Sequence, residues 1–371
     1  MEKIMLLITI LLLVLITGCS SSSVISDEPV EVEVETEEPV KVNVVEVEKK
    51  EEPIINEVIE EPEVKIEEEK FYSKLSGEEI KEANMNNRAF AVMLDNFYTA
   101  RPQAGLSQAD IVYEILAEGP ITRYMAVFQS EYPDNIGPVR SARPYFVKKS
   151  LEFNAFYTHV GGSPQGLADI KRLNSYDIDA MSCGSNIFWR VDHKKIPHNM
   201  YTSSDAILKE ANRKKYKTNG EIEFLNFYKE DTKINGENGS IIKICYKDPI
   251  GKDLEGYTSE YRYDIESGLY YRYTNSKRYI DENNDEEITV KNILVQFAKT
   301  RVIDDKLRRD ISIVGTGNGL YFTNGEYIEV TWEKKTESSR TIFYSNGEEI
   351  KLNVGKTWIQ VVPYSLEVKI N

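Results

Sequence analysis

The chain has 371 residues and a formal net charge of −15 at pH 7. Residues 27–70 contain 18 Asp or Glu and 5 Lys, a charge of −13, so residues 71–371 carry only −2 once Glu2 and Lys3 cancel. This acidic balance argues against a nucleic-acid partner, for which a basic face would be expected. The nearly neutral remainder of about 300 residues is long enough for two domains of roughly 100–200 residues each.

The first 18 residues have the features of a bacterial lipoprotein signal peptide. An apolar run from Ile4 to Ile16 follows one lysine, and its 13 residues are too few to span a bilayer but suit a signal-peptide core. The run ends in Ile16-Thr17-Gly18-Cys19, which resembles a lipobox. We therefore predict that Cys19 is lipidated and anchors the mature protein to the extracytoplasmic side of the cell membrane. An ordinary secretory signal with a coincidental cysteine is the alternative.

Residues 19–70 are predicted to form an acidic, disordered tether. Valine alternates with glutamate from Val30 to Glu35, but residues 27–70 contain no aromatic side chain and carry a high net charge. A flexible coil of about 50 residues reaches on the order of 40 Å. That length would hold a folded body away from the membrane, at the depth of the wall in a Gram-positive envelope. Addition of this segment as a strand to a partner's sheet is the alternative.

Residues 71–217 are predicted to form a mixed α/β domain. Apolar runs and caps predict, in order, a strand at 89–94, a hairpin of 111–117 with 121–128, a helix at 145–153, a strand at 156–160, and helices capped by Ser163 and by Ser203 or Ser204. The Gly161-Gly162-Ser163 segment could also offer free N–H groups to an anion, although helix capping is the simpler explanation.

A stiff cationic loop lies within this domain, at Gly137-Pro138-Val139-Arg140-Ser141-Ala142-Arg143-Pro144-Tyr145. Its two prolines restrict the backbone, so Arg140 and Arg143 are presented with little freedom, and their guanidinium groups suit planar anions. We predict a polar or anionic ligand site here. The candidate ligand-binding residues are Arg101, Arg123, Arg140, Ser141, Arg143, His159, Arg190, His198 and Asn199. The alternative is that these arginines form internal ion pairs that specify the fold, with Asp95, Asp110, Glu114 and Glu118 as partners.

Two of these carboxylates invite a glycosidase interpretation. If Glu114 and Glu118 lie on one strand, their positions are about 13 Å apart. That distance exceeds the carboxyl separations of retaining and inverting glycosidases. Catalysis by carboxylates would therefore need a helical segment, or a partner such as Asp95 or Asp110 for each glutamate.

The histidines and one serine suggest further alternatives. His193 and His198 lie near Asp192 in the sequence, and a fold that brings His159 to them would make a metal site. The five-residue spacing of His193 and His198 does not match a zinc site on a helix. No metal and no other cofactor is predicted. Ser141 could act as a nucleophile with His159 or His198, yet no nucleophile-elbow motif surrounds it. The spacing of Cys183 and Cys245 permits a disulfide outside the cell without requiring one.

Residues 218–371 are predicted to form a β-rich second domain. The pattern predicts strands at 241–246, 257–263, 269–273 and 293–297, and hairpin turns at Asn324-Gly325 and Asn346-Gly347. Trp332 and Trp358 are expected in the core. One face of the hairpin across 264–268 is expected to carry Tyr261, Tyr263, Tyr271 and Tyr273, for cross-strand packing or for stacking on sugars.

Several irregular segments together resemble the signature of the YerB-like lipoprotein family. They are Phe90-Ala91-Val92-Met93-Leu94-Asp95-Asn96, Ala100-Arg101-Pro102-Gln103, residues 105–114, Ile121-Thr122-Arg123, residues 136–144, His159-Val160-Gly161-Gly162-Ser163, Pro197-His198-Asn199, Gly315-Thr316-Gly317, Thr331-Trp332 and residues 355–363. The resemblance covers nearly all of the chain after the tether. Pro120, where a glycine is expected, and the insert-like residues 257–287 depart from it. Because the family's biochemistry is not established, the resemblance implies a location and an architecture without a reaction.

The sequence thus predicts an α+β fold, with a mixed α/β N-terminal domain (71–217) and a smaller, β-rich C-terminal domain (218–371). We expect a membrane-anchored lipoprotein that binds peptidoglycan, an anionic wall polymer or a wall-synthesis protein without catalysis, since no complete set of nucleophile, base and metal ligands is evident. The alternative is a cell-wall hydrolase that uses Asp95, Glu114 or His198.

Overall fold

The computed structural model describes residues 69–223, 225–247 and 257–371. The predicted signal peptide, the lipidation of Cys19 and the acidic tether lie outside the described residues. From Ile66 to Asn371 the chain forms one compact unit. Across the three described ranges, no helix is both long enough and apolar enough to cross a membrane.

The helices are few and short, and the strands are many. The α-helices are α1 (Pro144–Ser150), α2 (Pro164–Arg172) and α3 (Ser204–Arg213), and 3-10 helices occur at Glu82–Asn84, Tyr98–Ala100, Leu106–Gln108 and Leu151–Phe153. The first strands are β1 (Phe71–Tyr72), β2 (Glu79–Ile80), β3 (Phe90–Asp95), β4 (Ile111–Leu116), β5 (Thr122–Phe128), β6 (Phe156–His159), β7 (Tyr176–Asp179), β8 (Trp189–Arg190) and β9 (Met200–Tyr201). The later strands are β10 (Glu237–Asn238), β11 (Ile241–Lys247), β12 (Tyr257–Asp264), β13 (Leu269–Thr274), β14 (Lys277–Arg278), β15 (Thr289–Val290), β16 (Asn292–Ala298), β17 (Thr300–Val302), β18 (Arg309–Ile311), β19 (Gly315–Thr323), β20 (Glu326–Lys334), β21 (Ile342–Ser345), β22 (Glu348–Glu349), β23 (Thr357–Pro363) and β24 (Val368–Ile370).

One large sheet contains strands from both halves of the chain. Its order is β22-β21-β20-β19-β16-β23-β4-β5-β3-β6-β7, with β10 beside β20. The halves join where β23 runs parallel to β4. A smaller sheet has the order β14-β13-β12-β11-β24, with β15 beside β13. The predicted boundary after Lys217 falls in the loop that follows α3, and the division into two domains stays a prediction.

The two faces of the large sheet contribute to two separate hydrophobic cores. Along β3, Val92 and Leu94 belong to one core and Ala91 and Met93 to the other, because successive side chains of a strand point to opposite faces. The first core also contains side chains of the smaller sheet and of α3, and the second contains side chains of α1 and α2. The large sheet is therefore covered on both faces.

The fold is β-rich, and helices contribute less than the mixed α/β pattern of the first half predicts. The predicted hairpin forms between β4 and β5, and Ser163 and Ser203 cap α2 and α3 by accepting backbone N–H groups. The hairpin turns are also confirmed. Asn324 and Gly325 have φ angles of 51° and 76°, as a tight turn between β19 and β20 requires.

The prediction that four tyrosines share one face of the β12–β13 hairpin is wrong. Tyr261 lies opposite Arg272, whereas Tyr271 lies opposite Arg262. Cross-strand partners share a face and neighbours along a strand alternate, so Tyr261 and Tyr271 point to opposite faces. The error comes from the register, which the sequence pattern of two adjacent strands does not determine.

A buried charge cluster connects the two halves beneath α1. The carboxylate of Glu152 lies 3.0 Å from Nζ of Lys149 and 2.9 Å from Nζ of Lys334, and all three side chains are at most 1% exposed. Thr341 accepts a hydrogen bond from Lys149 (2.6 Å) and donates one to Glu152 (2.8 Å). Burial, with Lys334 adding like charge, lowers the pKa of Lys149 to about 8. One carboxylate therefore compensates two buried ammonium groups.

We predict that Glu152→Gln and Lys149→Met differ sharply in stability. Glu152→Gln leaves two ammonium groups buried without a carboxylate and should lower the free energy of unfolding by about 3–5 kcal/mol. Lys149→Met leaves Glu152 paired with Lys334, so it should cost far less or stabilise the protein. Urea denaturation of both variants measures the difference.

The pH dependence supplies the control. The folded-state pKa of Lys149, about 8, lies below its ordinary value of 10.5, so the unfolded chain binds more protons between these limits. The wild-type protein should thus gain stability relative to Lys149→Met as the pH rises from 8 to 10.5. Equal losses of unfolding free energy in Glu152→Gln and Lys149→Met would contradict this account. So would a difference in stability between the wild type and Lys149→Met that does not change with pH.

Candidate functional site

The cationic loop at residues 137–145 fills the gap where β3 and β6 diverge. These strands pair only along Phe90–Val92. Beyond that point, the N–H of Arg140 donates to the carbonyl of Met93 (2.8 Å), and the carbonyl of Arg140 accepts from Val160 (3.0 Å). Pro144 begins α1 immediately after Arg143. The backbone of the loop is therefore fixed by the sheet on both sides and by a helix at its end.

Arg143 and Arg123 share one carboxylate behind the loop. Nε of Arg143 donates to Glu118 (2.7 Å), its second contact to Glu118 is an ion pair through Nη2, and Arg123 donates to the other oxygen of Glu118 (2.9 Å). Arg123 also donates to the carbonyl of Ser141 (2.9 Å). Burial, with the nearby charge of Arg143, lowers the pKa of Arg123 to about 10. We call Glu118, Arg123 and Arg143 the strut, because they connect the β4–β5 hairpin to the loop.

Arg140 is held differently. Its Nε lies 3.1 Å from Oδ2 of Asp95 without being aligned for a hydrogen bond, and its side chain is 25% exposed. The carboxylate of Asp95 is 3% exposed. Within the described residues, this ion pair is the one that Arg140 makes. Nε is itself buried, and the described residues accept no hydrogen bond from this guanidinium.

His198 completes this site, which we call the Arg140 site and define as Asp95, Phe97, Arg140 and His198. Nδ1 of His198 donates to Oδ2 of Asp95 (2.6 Å), and the imidazole stacks on the ring of Phe97, with centroids 4.6 Å apart and planes 6° apart. Burial would raise the pKa of Asp95, but the hydrogen bond from His198 and the charge of Arg140 together hold it below its usual value. The site therefore combines an ionised carboxylate, a guanidinium and a flat ring face.

The other two predicted carboxylates lie elsewhere. In the strand register, Asp95 lies opposite Arg123 and Glu114 lies opposite Tyr124. Because Arg123 and Tyr124 are adjacent on β5, Asp95 and Glu114 point to opposite faces of the sheet. Glu114 is buried in an ion pair with Arg272 (2.9 Å). Asp110 accepts the backbone N–H groups that follow β5. Of the four carboxylates, only Asp95 and Glu118 contact the arginines of the loop.

The remaining candidate residues have local structural partners. Arg101 donates to Oδ1 of Asn96 (2.9 Å), and its guanidinium lies 5.0 Å from the centroid of the Tyr257 ring. Arg190 donates to Oδ1 of Asn199 (2.7 Å), and the side-chain amide of Asn199 donates to the carbonyl of Val191, which lies outside the loop. The carbonyl of Ser141 is bound by Arg123.

His159 lies at the end of β6 and is fully buried. Its ring nitrogens contact Asp177 (2.8 Å) and the carbonyl of Gly161 (2.8 Å). The Gly161-Gly162-Ser163 segment was a candidate anion site, but the N–H of Gly161 donates to the carboxylate of Asp179 (2.7 Å). His159 and the glycine pair therefore form a polar junction with β7, separate from His198.

The third histidine, His193, has a different acidic partner from the other two. His193 contacts Glu282, while His198 contacts Asp95. No group of three or more metal-ligating side chains is found in the part of the chain that the structure describes. Cys183 and Cys245 are not joined by a disulfide.

Two arginines with important partners were not singled out from the sequence. Arg272 neutralises Glu114 from 158 residues away, and Arg309 donates twice to the carbonyl of Gly119 from 190 residues away. Neither lies in a motif, and no local pattern indicates a contact over such distances. The pairing of β23 with β4 and the bridge between Glu118 and Arg308 bring residues of the later half of the chain near those of the first half.

Comparison with known proteins gives consistent relationships. The DUF3048 N-terminal domain, described as part of a protein of unknown function, matches residues 75–217, and the DUF3048 C-terminal domain matches residues 252–359. YerB of Bacillus subtilis (strain 168), classed by its name as a lipoprotein, is 36% identical over 294 residues, which are 79% of this chain and 87% of that protein. A crystal structure of YerB from Bacillus subtilis aligns with a TM-score of 0.73 and 34% identity, over 81% of this chain and 99% of that chain.

These relationships define the class as β-rich proteins related to a lipoprotein, with unestablished biochemistry. The chain belongs to the DUF3048 family, as the resemblance to YerB-like proteins implies. The crystallised relative aligns over 99% of its own length with 81% of 371 residues, about 300, which is close to the length of the unit from Ile66 to Asn371. A chain of residues 66–371, which we call the body, is therefore expected to fold by itself.

We predict that Arg143→Ala destabilises the protein more than Arg140→Ala does. Arg143 is buried and makes charge-assisted hydrogen bonds to Glu118, so its loss should lower the free energy of unfolding by about 2 kcal/mol. Arg140 is partly exposed, and Asp95 keeps His198 in its absence, so the loss should stay below about 1 kcal/mol. Urea denaturation of the body measures both values. The reverse order would show that Arg140 is the structural member of the pair.

Proposed function

We propose that this chain is a lipid-anchored protein on the extracytoplasmic side of the membrane, and that it binds a polar or anionic envelope component at the Arg140 site without catalysis. The lipoprotein relative and the Ile16-Thr17-Gly18-Cys19 pattern support the anchor. Peptidoglycan, an anionic wall polymer and a wall-synthesis protein are the partners that suit this location. The overall charge of −15 argues against a nucleic acid.

The accessible guanidinium of Arg140 carries the proposal. Asp95 holds the group through one ion pair, and the loop backbone is fixed by β3 and β6, so Arg140 can meet a ligand without reorganisation. The count of charges points the same way. Arg123, Arg140 and Arg143 share Asp95 and Glu118, three cations with two carboxylates. An anionic ligand would balance the remaining positive charge.

The neighbouring rings favour a ligand with a saccharide part. Phe97 and His198 are stacked and both are partly exposed beside Arg140. Aromatic faces pack against the apolar face of a sugar ring, while a guanidinium binds carboxylate or phosphate oxygens in pairs. Wall glycans and anionic wall polymers offer both features in one molecule.

We predict that the body binds soluble wall material through Arg140. Isothermal titration with peptidoglycan fragments and with an anionic wall polymer should show binding that Arg140→Ala weakens about tenfold, as the loss of a charge-assisted hydrogen bond implies. Arg262→Ala is the matched control, since Arg262 is exposed and pairs with Glu260 on β12, outside the site. Unchanged affinity in a folded Arg140→Ala variant would remove this residue from the function.

A second candidate function is hydrolysis of wall material, and the contact between Asp95 and His198 favours it. Asp95 accepts from Nδ1 of His198, an arrangement that leaves Nε2 free to take a proton from water or a hydroxyl group. Glu114, which the hydrolase hypothesis also included, points to the opposite face of the sheet. A hydrolase would therefore depend on Asp95 and His198.

Incubation of the body with purified sacculi separates the two functions. Under the binding proposal, no soluble fragments are released at any pH between 5 and 9, with or without added divalent metal ions. Release that His198→Gln abolishes, while the variant keeps its fold by circular dichroism, would establish the hydrolase instead.

A further inference from the structure

A cationic cavity lies on another side of the loop, between α1, the first turn of α2 and the β17–β18 hairpin. Its volume is about 320 Å³. Five cationic side chains and two acidic ones line it: Arg143, Lys148, Arg301, Arg308, Arg309, Asp169 and Asp310. None of the four residues of the Arg140 site lines this cavity. We call it the Arg309 pocket.

Most of these cations already have a carboxylate partner. Arg143 pairs with Glu118, Lys148 with Glu337 (2.9 Å), Arg301 with Asp310 (2.9 Å) and Arg308 with Asp304 (2.6 Å). Asp169 is used by Arg172 (2.7 Å), outside the cavity. The two acidic residues of the lining, Asp169 and Asp310, are therefore paired with Arg172 and Arg301.

Arg309 is the exception. It is half-buried, and Nε (3.1 Å) and Nη2 (2.5 Å) both donate to one backbone carbonyl, that of Gly119. Among the described residues, Arg309 has no carboxylate within ion-pair distance. Burial lowers its pKa, and the raising influence comes from Tyr145 rather than from an acid. A half-buried guanidinium without a counter-ion is costly, and an anion from outside would remove that cost.

The strut adds to this positive charge. Gly119, which holds Arg309, follows Glu118, the carboxylate that Arg123 and Arg143 share. Arg123, Arg143 and Arg309 therefore have one carboxylate among them, three positive charges against one negative. Arg143 and Arg309 both line the pocket, so this excess of positive charge lies beside it, although Arg143 itself stays paired with Glu118.

From this geometry we infer that the Arg309 pocket binds a phosphate ester. A phosphate group has more oxygens and more charge than a carboxylate, which suits a pocket lined by Arg309 and Lys148 from different elements. The cavity has room for roughly ten water molecules at ~30 Å³ each, enough for a phosphate with a small polyol attached. Ser163 and Gln165, at the N-terminus of α2, also line the pocket, and the helix dipole there favours negative charge.

Isothermal titration of the body with sn-glycerol 3-phosphate and with inorganic phosphate tests the inference. We expect both to bind more tightly than acetate at matched ionic strength, and Arg309→Ala to weaken glycerol phosphate binding about tenfold. Arg140→Ala should stay within about twofold of the wild type, which separates this pocket from the proposed function. Arg262→Ala is again the surface control.

If Arg309→Ala does not fold, a second variant tests the pocket. Lys148→Gln changes a partly exposed side chain of α1 and should weaken binding severalfold in a folded protein. Unchanged affinity in Arg309→Ala and Lys148→Gln, or acetate binding as tightly as phosphate, would overturn the inference.

Two sources could supply the phosphate ester, and two further arms distinguish them. Vesicles of phosphatidylglycerol, compared with phosphatidylcholine vesicles in a flotation assay, test a lipid headgroup. Soluble poly(glycerol phosphate) tests a wall polymer. In either arm, Arg309→Ala should reduce binding about tenfold. Binding to neither material would exclude both sources, and failure of glycerol phosphate to bind as well would overturn the inference.

Discussion

The sharing of Glu118 by Arg123 and Arg143 is the interaction on which the polar region depends. A single carboxylate fixes two guanidinium groups and so connects the β4–β5 hairpin to the cationic loop. It can balance only one of their charges. Asp95 is paired with Arg140, so it does not neutralise the remaining positive charge. The loop is therefore both fixed in position and positively charged, and this excess of charge is the basis of the binding proposal.

The alternation of side chains across the large sheet decides which residues can act together. Asp95 and Arg123 belong to one face, while Glu114 belongs to the other, where Arg272 from the smaller sheet neutralises it. The four carboxylates that lie near one another in the sequence therefore have different partners and different roles. The buried Glu114–Arg272 pair connects the two sheets, and the buried carboxylate of Asp95 stays with the partly exposed His198.

Local signals in the sequence were sufficient for many elements and insufficient for the site. Ser163 followed by a proline predicted the start of α2, and Asn324-Gly325 predicted a hairpin turn, because capping and turn geometry depend on adjacent residues. The partners of Arg140 and Arg143 could be named only as a set of four carboxylates. Register and long-range pairing chose among them, and the same register placed the hairpin tyrosines on opposite faces. Arg309 could not be found at all, since its contact with Gly119 follows from the joining of the two halves.

The central claim is that the guanidinium of Arg140 is available while those of Arg123 and Arg143 are not. Nitrogen-15 NMR of the arginine side chains in the body tests it most directly, through the rate at which each guanidinium exchanges hydrogen with water. The account predicts slow exchange for Arg123 and Arg143, which are buried against Glu118, and fast exchange for Arg140. Equally slow exchange at Arg140 would contradict the account, because it would show that the chain already satisfies this group.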